Sequence, residues 1–247
     1  MQIAVVSLFP EMVGQVVEYG VVGRAVDRQH LALTCHNPRD HAEDVHRTVD
    51  DRPYGGGPGM VLKYEPTAEA IREARAAMPA GSPVIYLSPA GKVFDQDEAK
   101  RLAGLEGFVL LAGRYEGSDE RLIENEVDEE LSLGDFVLSG GEIAAMAVVD
   151  AVTRLLPGVL GDDESAAQDS FMGGLLDHPH YTRPEVVDGK RVPAVLMSGD
   201  HARIARWRYK QALGRSYLRR PDLVKKLSLD KEQRKLLDEF LNEQGRD

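Results

Sequence analysis

The sequence predicts an α/β fold with a mainly parallel sheet, joined to a small, basic, helical module. Three observations carry this expectation. Apolar runs of strand length recur at residues 3–9, 31–37, 83–88, 107–112 and 133–139, with helix-like segments between several of them, the alternation of a parallel sheet. Glycines stand where three of these runs end, in YLSPAGK, LAGRYEG and LGDFVLSGGE. A small, acidic stretch without periodicity, GVLGDDESAAQDS, then separates the first part from a second that is rich in Lys and Arg.

The elements follow in order. IAVVSLF and LALTCHN open the strand pattern, and PVIYLS and GFVLLA continue it. Between the latter two, FDQDEAKRLAG reads as a helix that starts with a capping box of Asp95 and Glu98 and stops at Gly104. Ser118 is placed to cap DERLIENE, and LGDFVLS supplies a fifth strand. EIAAMAVVDAVTRLL, residues 142–156, is an almost wholly apolar helix ended by Pro157 and Gly158, so it belongs in the core or in a subunit interface. The acidic stretch marks a boundary, giving a domain over 1–160, a linker over 161–173 and a helical basic domain over 174–247. In that last part Asp200 caps HARIARWRYKQAL, which ends at Gly214, and Asp230 with Gln233 opens KEQRKLLDEFLNE.

With 247 residues, 43% of them hydrophobic, the chain can bury a full core. No apolar run approaches the roughly 20 residues of a membrane span, and MQIAVVSLFPEM lacks the basic start and cleavage site of a signal peptide, so a cytoplasmic location and no membrane partner are expected. A single cysteine, Cys35, excludes an internal disulfide and a cysteine-based zinc site, and its strand context points to a packed thiol. The net charge of −11 argues against non-specific nucleic-acid binding by the whole surface. Charge is unevenly placed, however. Residues 116–135 hold nine acids and one arginine, whereas residues 200–226 hold nine Lys/Arg and two Asp.

Ligands of open α/β sheets bind outside the carboxyl ends of the strands, so three glycine-bearing ends close together would form one pocket lined by backbone. No Walker lysine and no G-x-G-x-x-G is present, and Glu116 and Asp135 would repel a triphosphate while tolerating a cation such as a sulfonium. The bland alternative is that Gly113, Gly117, Gly134, Gly140 and Gly141 only make turns. DDRPYGGGPGM is a loop, and its Asp50, Arg52, Gly57, Pro58 and Gly59 are candidate substrate contacts; a surface loop is the competing reading. Arg154 stands four residues after Asp150, which allows an ordinary helical ion pair, but a guanidinium at the end of a buried helix also suits an anionic substrate. Asp169 reads locally as a solvated loop acid. His36, His41 and His46 have no metal spacing, and His178 and His180 flank Pro179. Ser88 and Ser139 lack a nucleophile-elbow context. Arg203, Arg206 and Lys210 share a predicted helix face with Arg208 alongside, a phosphate-backbone footprint or else a solvated charged face.

Together, in this order and spacing, DDRPYGGGPGM, YLSPAGK, LAGRYEG and LGDFVLSGGE resemble the bacterial tRNA (guanine-N1)-methyltransferases of TrmD type, in the SPOUT class, nearly end to end. That resemblance implies a deep trefoil knot in the first domain holding S-adenosylmethionine. The cofactor contacts it implies are Tyr86, Leu87, Ser88 and Pro89, then Gly113, Tyr115, Glu116 and Gly117, then Leu133, Gly134, Asp135, Phe136, Val137 and Leu138 with Gly140 and Gly141. Asp169 becomes the expected general base and Arg154 the partner of guanine O6. The resemblance further implies tRNA and not DNA as the nucleic-acid partner, a homodimer with the active site at the subunit interface, and Mg²⁺ near Glu116 and Asp169. Small departures stand at Leu133, Phe136, Ser139, Ala144 and Ala145; the first three are conservative, and the last two touch no expected catalytic role. Another SPOUT RNA methyltransferase, or a non-catalytic RNA-binding protein with a nucleotide-sensing pocket, are the alternatives.

Overall fold

Four of the five apolar runs of the first part become strands of a five-stranded parallel sheet. β1 (Gln2–Val6) leads through α1 (Pro10–Gly14) and α2 (Gly20–Asp27) to β2 (Ala32–His36). A hairpin of β3 (Asp50–Asp51) and β4 (Val61–Leu62) encloses the glycine loop, and α3 (Tyr64–Ala76), β5 (Val84–Val93), α4 (Gln96–Ala103) and β6 (Gly107–Ala112) follow. The order closes with α5 (Glu120–Glu126), β7 (Glu129–Ser132) and α6 (Glu142–Thr153). The main sheet runs β2-β1-β6-β5-β7, every neighbouring pair parallel. This computed structural model describes residues 1–161 and 169–245, so residues 162–168 of the expected linker lie outside it. The chain divides into two units, Met1–Asp163 and Glu164–Asp247.

Strand side chains alternate between faces, and both faces are buried here. Ile3, Val5, Phe108 and Leu110 pack against Val22 and Ala25 of α2, Leu102 of α4 and Val148, Val149 and Val152 of α6. Ala4, Val6, Val109 and Leu111 face the other way, onto Ile71 of α3 and Leu122 of α5. Each fully buried Phe or Leu is worth about 1.5–3 kcal/mol over exposure, which makes these two layers the scaffold on which the strand-end loops are held. Cys35 is half-buried, and burial pushes its thiol up to about 11, as suits a packed strand thiol.

Some local expectations change register. LGDFVLS is not a strand: β7 ends at Ser132. Gly134 takes φ +138°, its amide donates to Ser132 Oγ at 3.1 Å, and the Phe136 amide donates to the Gly134 carbonyl, so the backbone leaves the ladder as a loop. Asp119 rather than Ser118 caps α5, its carboxylate accepting from the Arg121 amide at 3.0 Å. Residue type alone cannot choose between adjacent Ser and Asp. Asp95 caps α4, but the Glu98 side chain turns to Lys92 and Arg101 and leaves the box open.

In the second unit β8 (Val186–Val187) and β9 (Lys190–Arg191) form a hairpin across Asp188 and Gly189, both with positive φ. α7 (His201–Arg219), α8 (Pro221–Lys225) and α9 (Lys231–Gln244) close on Leu175, Leu213, Val224 and Leu237. Asp230 and Gln233 make the expected capping box. α7 does not stop at Gly214. A Cβ there would stand 2.2 Å from the Phe240 ring, so Gly214 is where α9 approaches α7 too closely for any side chain. Gly214→Ala is therefore expected to lower stability by about 1–3 kcal/mol through overpacking, although Ala normally favours a helix by about 0.5–1 kcal/mol. A raised melting temperature would contradict this reading. Among the described residues no helix is long and apolar enough to cross a membrane.

Candidate active site

The C-terminal ends of β5, β6 and β7 lie side by side, and a cavity of about 280 Å³ opens beside them. Three stretches wall it: residues 86–89 at the turn within β5, 113–117 after β6, and 131–134 with 136–141 between β7 and α6. Ala144 of α6 completes the wall. The structure thus brings the cofactor candidates of all three glycine motifs to one cavity, with Asp135 the exception. Close backbone approach explains two of the glycines. A Cβ on residue 141 would meet Ala112 Cα at 2.7 Å, and one on residue 113 would meet the Tyr86 ring at 2.8 Å. The Gly141 amide donates to the Gly113 carbonyl at 2.8 Å, pinning the start of α6 to the end of β6. Tyr86 itself is nearly buried, and that burial raises its phenol above the ordinary range.

Two charged groups inside these motifs have no role assigned to them from the sequence. Glu142, fully buried, accepts from Ser7 Oγ at 2.9 Å and from Arg114 Nε at 3.0 Å. Arg114 also donates to the Ser139 carbonyl at 3.2 Å and lies 4.4 Å from the centre of the Phe9 ring. This network ties β1 to the loop before α6, and it occupies the one cation of the wall with a carboxylate instead of leaving it as a phosphate grip. The available signal was a carboxylate opening an otherwise apolar helix, since a buried acid requires partners.

The glycine loop between β3 and β4 is tethered to the same strand end. The Glu116 amide donates to the Met60 carbonyl at 3.0 Å, and the Leu62 amide donates to the Gly117 carbonyl at 2.9 Å. Arg52, Gly57, Pro58 and Gly59 are exposed on it, apart from a half-buried Pro53. Asp50 faces the Tyr115 phenol, which burial and the Asp50 carboxylate together raise. Arg154 is half-buried at the C-terminal end of α6 in the first unit, and Asp169 is exposed in the second.

The cations of α7 divide. Arg203 and Arg208 are exposed, but Arg206 makes a two-pronged bond to Glu239 of α9 at 2.9 and 3.0 Å, and the nearly buried Lys210 holds both Glu243 oxygens at 2.5 and 2.8 Å. Cations four residues apart on α7 meet acids four residues apart on α9, a pairing visible only once the helices are packed. His36 and His41 both contact Glu73, at 3.3 and 3.0 Å. His178 packs within its loop: its side chain is 12% exposed, and burial holds its imidazole below the usual range.

The family model described as tRNA (Guanine-1)-methyltransferase TrmD matches residues 1–226. The chain belongs to the TrmD family. Its similarity to individual members is high. It is 62% identical over 242 residues to the tRNA (guanine-N(1)-)-methyltransferase of Halorhodospira halophila, covering 98% of this chain and 92% of that one. The enzymes of that name from Chromohalobacter salexigens and Proteus mirabilis are 58% and 59% identical, covering 99% and 98% of this chain and 94% and 97% of theirs. All four glycine motifs lie within the matched span, as do Arg154, Asp169 and the basic face of α7. The network of Ser7, Arg114 and Glu142 lies within it too, so in a TrmD family chain the cavity wall is braced by a buried carboxylate.

Proposed function

We propose that this chain methylates N1 of guanine in tRNA, at the guanosine immediately 3′ of the anticodon, with S-adenosylmethionine as donor. The observation that carries this reading is the glycine-walled cavity at three parallel strand ends in a TrmD family chain. Its chemistry fits that donor. Five glycines stand in the wall, its arginine is engaged by Glu142, and Glu116 lines it, which favours a cationic, phosphate-free ligand over a nucleotide. Bound there, the sulfonium supplies an electrophilic methyl group.

The protein's own residues do the rest. Guanine N1 carries a proton and is a poor nucleophile until that proton leaves. Asp169 takes the N1 proton as general base, and Arg154 stabilises the negative charge that develops on O6. The target base must be turned out of its stack to react. Mg²⁺ belongs to the same proposal, with Glu116 and Asp169 as hard oxygen donors suited to it. So do a homodimer with the active site at the subunit interface, a cytoplasmic setting and the deep trefoil knot. The close passage of Gly141 over Ala112 and Gly113 supports the knot, and the exposed Phe136, Val137 and Ile143 beside the cavity support the homodimer. Residues 1–160 would act as the catalytic domain and 174–247 as the tRNA-binding domain.

Methyl transfer from labelled donor to an unmodified tRNA transcript with guanosine 3′ of the anticodon tests this reading. The expected product is 1-methylguanosine at that position, and its absence alongside measurable donor and tRNA binding would overturn it. On α7, Arg203 and Arg208 are the proposed phosphate partners. Changing both to Ala is expected to weaken tRNA binding and to flatten its salt dependence by about 0.7–0.9 for each phosphate no longer neutralised. An unchanged slope would move the footprint elsewhere.

A further inference from the structure

We propose that Asp177, His178 and His180 bind one borderline divalent transition-metal ion, with zinc the best fit. Among the described residues this is the one group whose ligand atoms, one from each of three side chains, lie mutually within 4.8 Å. His180 Nε2 is 2.8 Å from Asp177 Oδ2, and His178 Nε2 is 3.8 Å from Asp177 Oδ1. Ligands of a tetrahedral zinc site, at about 2.0–2.2 Å from the ion, stand about 3.3 Å apart. The two spacings end on different oxygens of Asp177, one below and one above that value, and all three donor atoms lie within 4.8 Å of one another, so side-chain rotation brings one carboxylate oxygen and both imidazoles onto one ion.

The backbone makes the arrangement a fixed one. Pro179, between the two histidines, has its φ restricted by its ring, and the two imidazoles sit on one side of the chain with ring centres 4.4 Å apart. The segment is anchored to α7, where the Leu176 amide donates to Ser216 Oγ at 2.8 Å, and the Asp177 amide donates to Ser170 Oγ at 2.9 Å. Two imidazole nitrogens and one carboxylate oxygen suit zinc and its neighbours and select against Mg²⁺, which prefers all-oxygen ligands. Three protein ligands leave a coordination position open. His178 and His180 line a cavity of about 720 Å³ that Arg183 and Arg208 also line, so that position would take water or an anionic oxygen held by the guanidiniums.

The test is titration of the metal-free, full-length chain with Zn²⁺ and, as a spectroscopic probe of geometry, Co²⁺. One tightly bound equivalent per chain, four-coordinate Co²⁺ bands and a raised melting temperature are expected, with Mg²⁺ giving none of these. His180→Gln changes a side chain that is 70% exposed and so spares the core. It is expected to weaken Zn²⁺ binding by more than about 100-fold, beyond the loss typical of an outer-shell partner, and to abolish the thermal shift. Asp177→Asn is expected to act in the same direction, and His46→Gln, on an exposed loop of the first unit, to leave binding unchanged. Zn²⁺ binding that survives His180→Gln at full affinity, or no binding by the unaltered chain, overturns the proposal.

Discussion

Asp169→Asn is expected to slow methyl transfer by about 10²–10⁴-fold while donor binding stays unchanged. The carboxamide keeps the shape of the side chain but cannot accept the guanine N1 proton, so the step that makes N1 nucleophilic is lost. Asp169 is exposed within its unit, so the substitution leaves the core untouched and a defect reports on chemistry instead of folding. Single-turnover rates with saturating tRNA, beside calorimetric titration of the donor, separate the outcomes. A rate within a few-fold of the unaltered enzyme would remove Asp169 as the base. A parallel loss of donor affinity would assign it to binding instead.

Glu142→Ala is expected to destabilise the first unit by about 3 kcal/mol and to weaken donor binding with it. The carboxylate is fully buried and accepts from both Ser7 and Arg114, so its removal leaves a hydroxyl and a guanidinium without their partner. Arg114 keeps 21% of its side chain exposed and can recover some hydration, which places the effect at the lower end for a broken buried pair. Glu142→Gln, which retains the volume and one acceptor, is expected to cost about 1–2 kcal/mol. Urea midpoints at constant slope measure both. The effect should reach the cavity because Arg114 also holds the Ser139 carbonyl and Gly141 begins α6. Full stability in Glu142→Ala would mean that the network braces nothing.

The sheet was legible because parallel strands buried on both faces leave nearly continuous apolar runs, as GFVLLA does in β6. The α9 capping box and the Asp200 cap of α7 were legible because they rest on residues three apart. The last glycine-flanked run was not, because LGDFVLS has strand composition while Gly134 and Ser132 turn the backbone away.

The site divides in the same way. Motif order identified which three strand ends matter, and YLSPAGK, LAGRYEG and the SGG of LGDFVLSGGE all reach one cavity. Arg206 and Lys210 read as surface cations until α9 places Glu239 and Glu243 against them, and Gly214 reads as a helix stop until Phe240 packs on it. Glu142 reads as one acid at the head of an apolar helix until Ser7, far away in sequence, arrives at 2.9 Å. Sequence alone determined most of the strands, most of the caps and the family, because these depend on residues close together in the chain or on motifs in fixed order. Tertiary structure alone decided which charges are paired, which glycines are obligatory and how Asp177, His178 and His180 converge, because those depend on distances in space that local pattern does not encode.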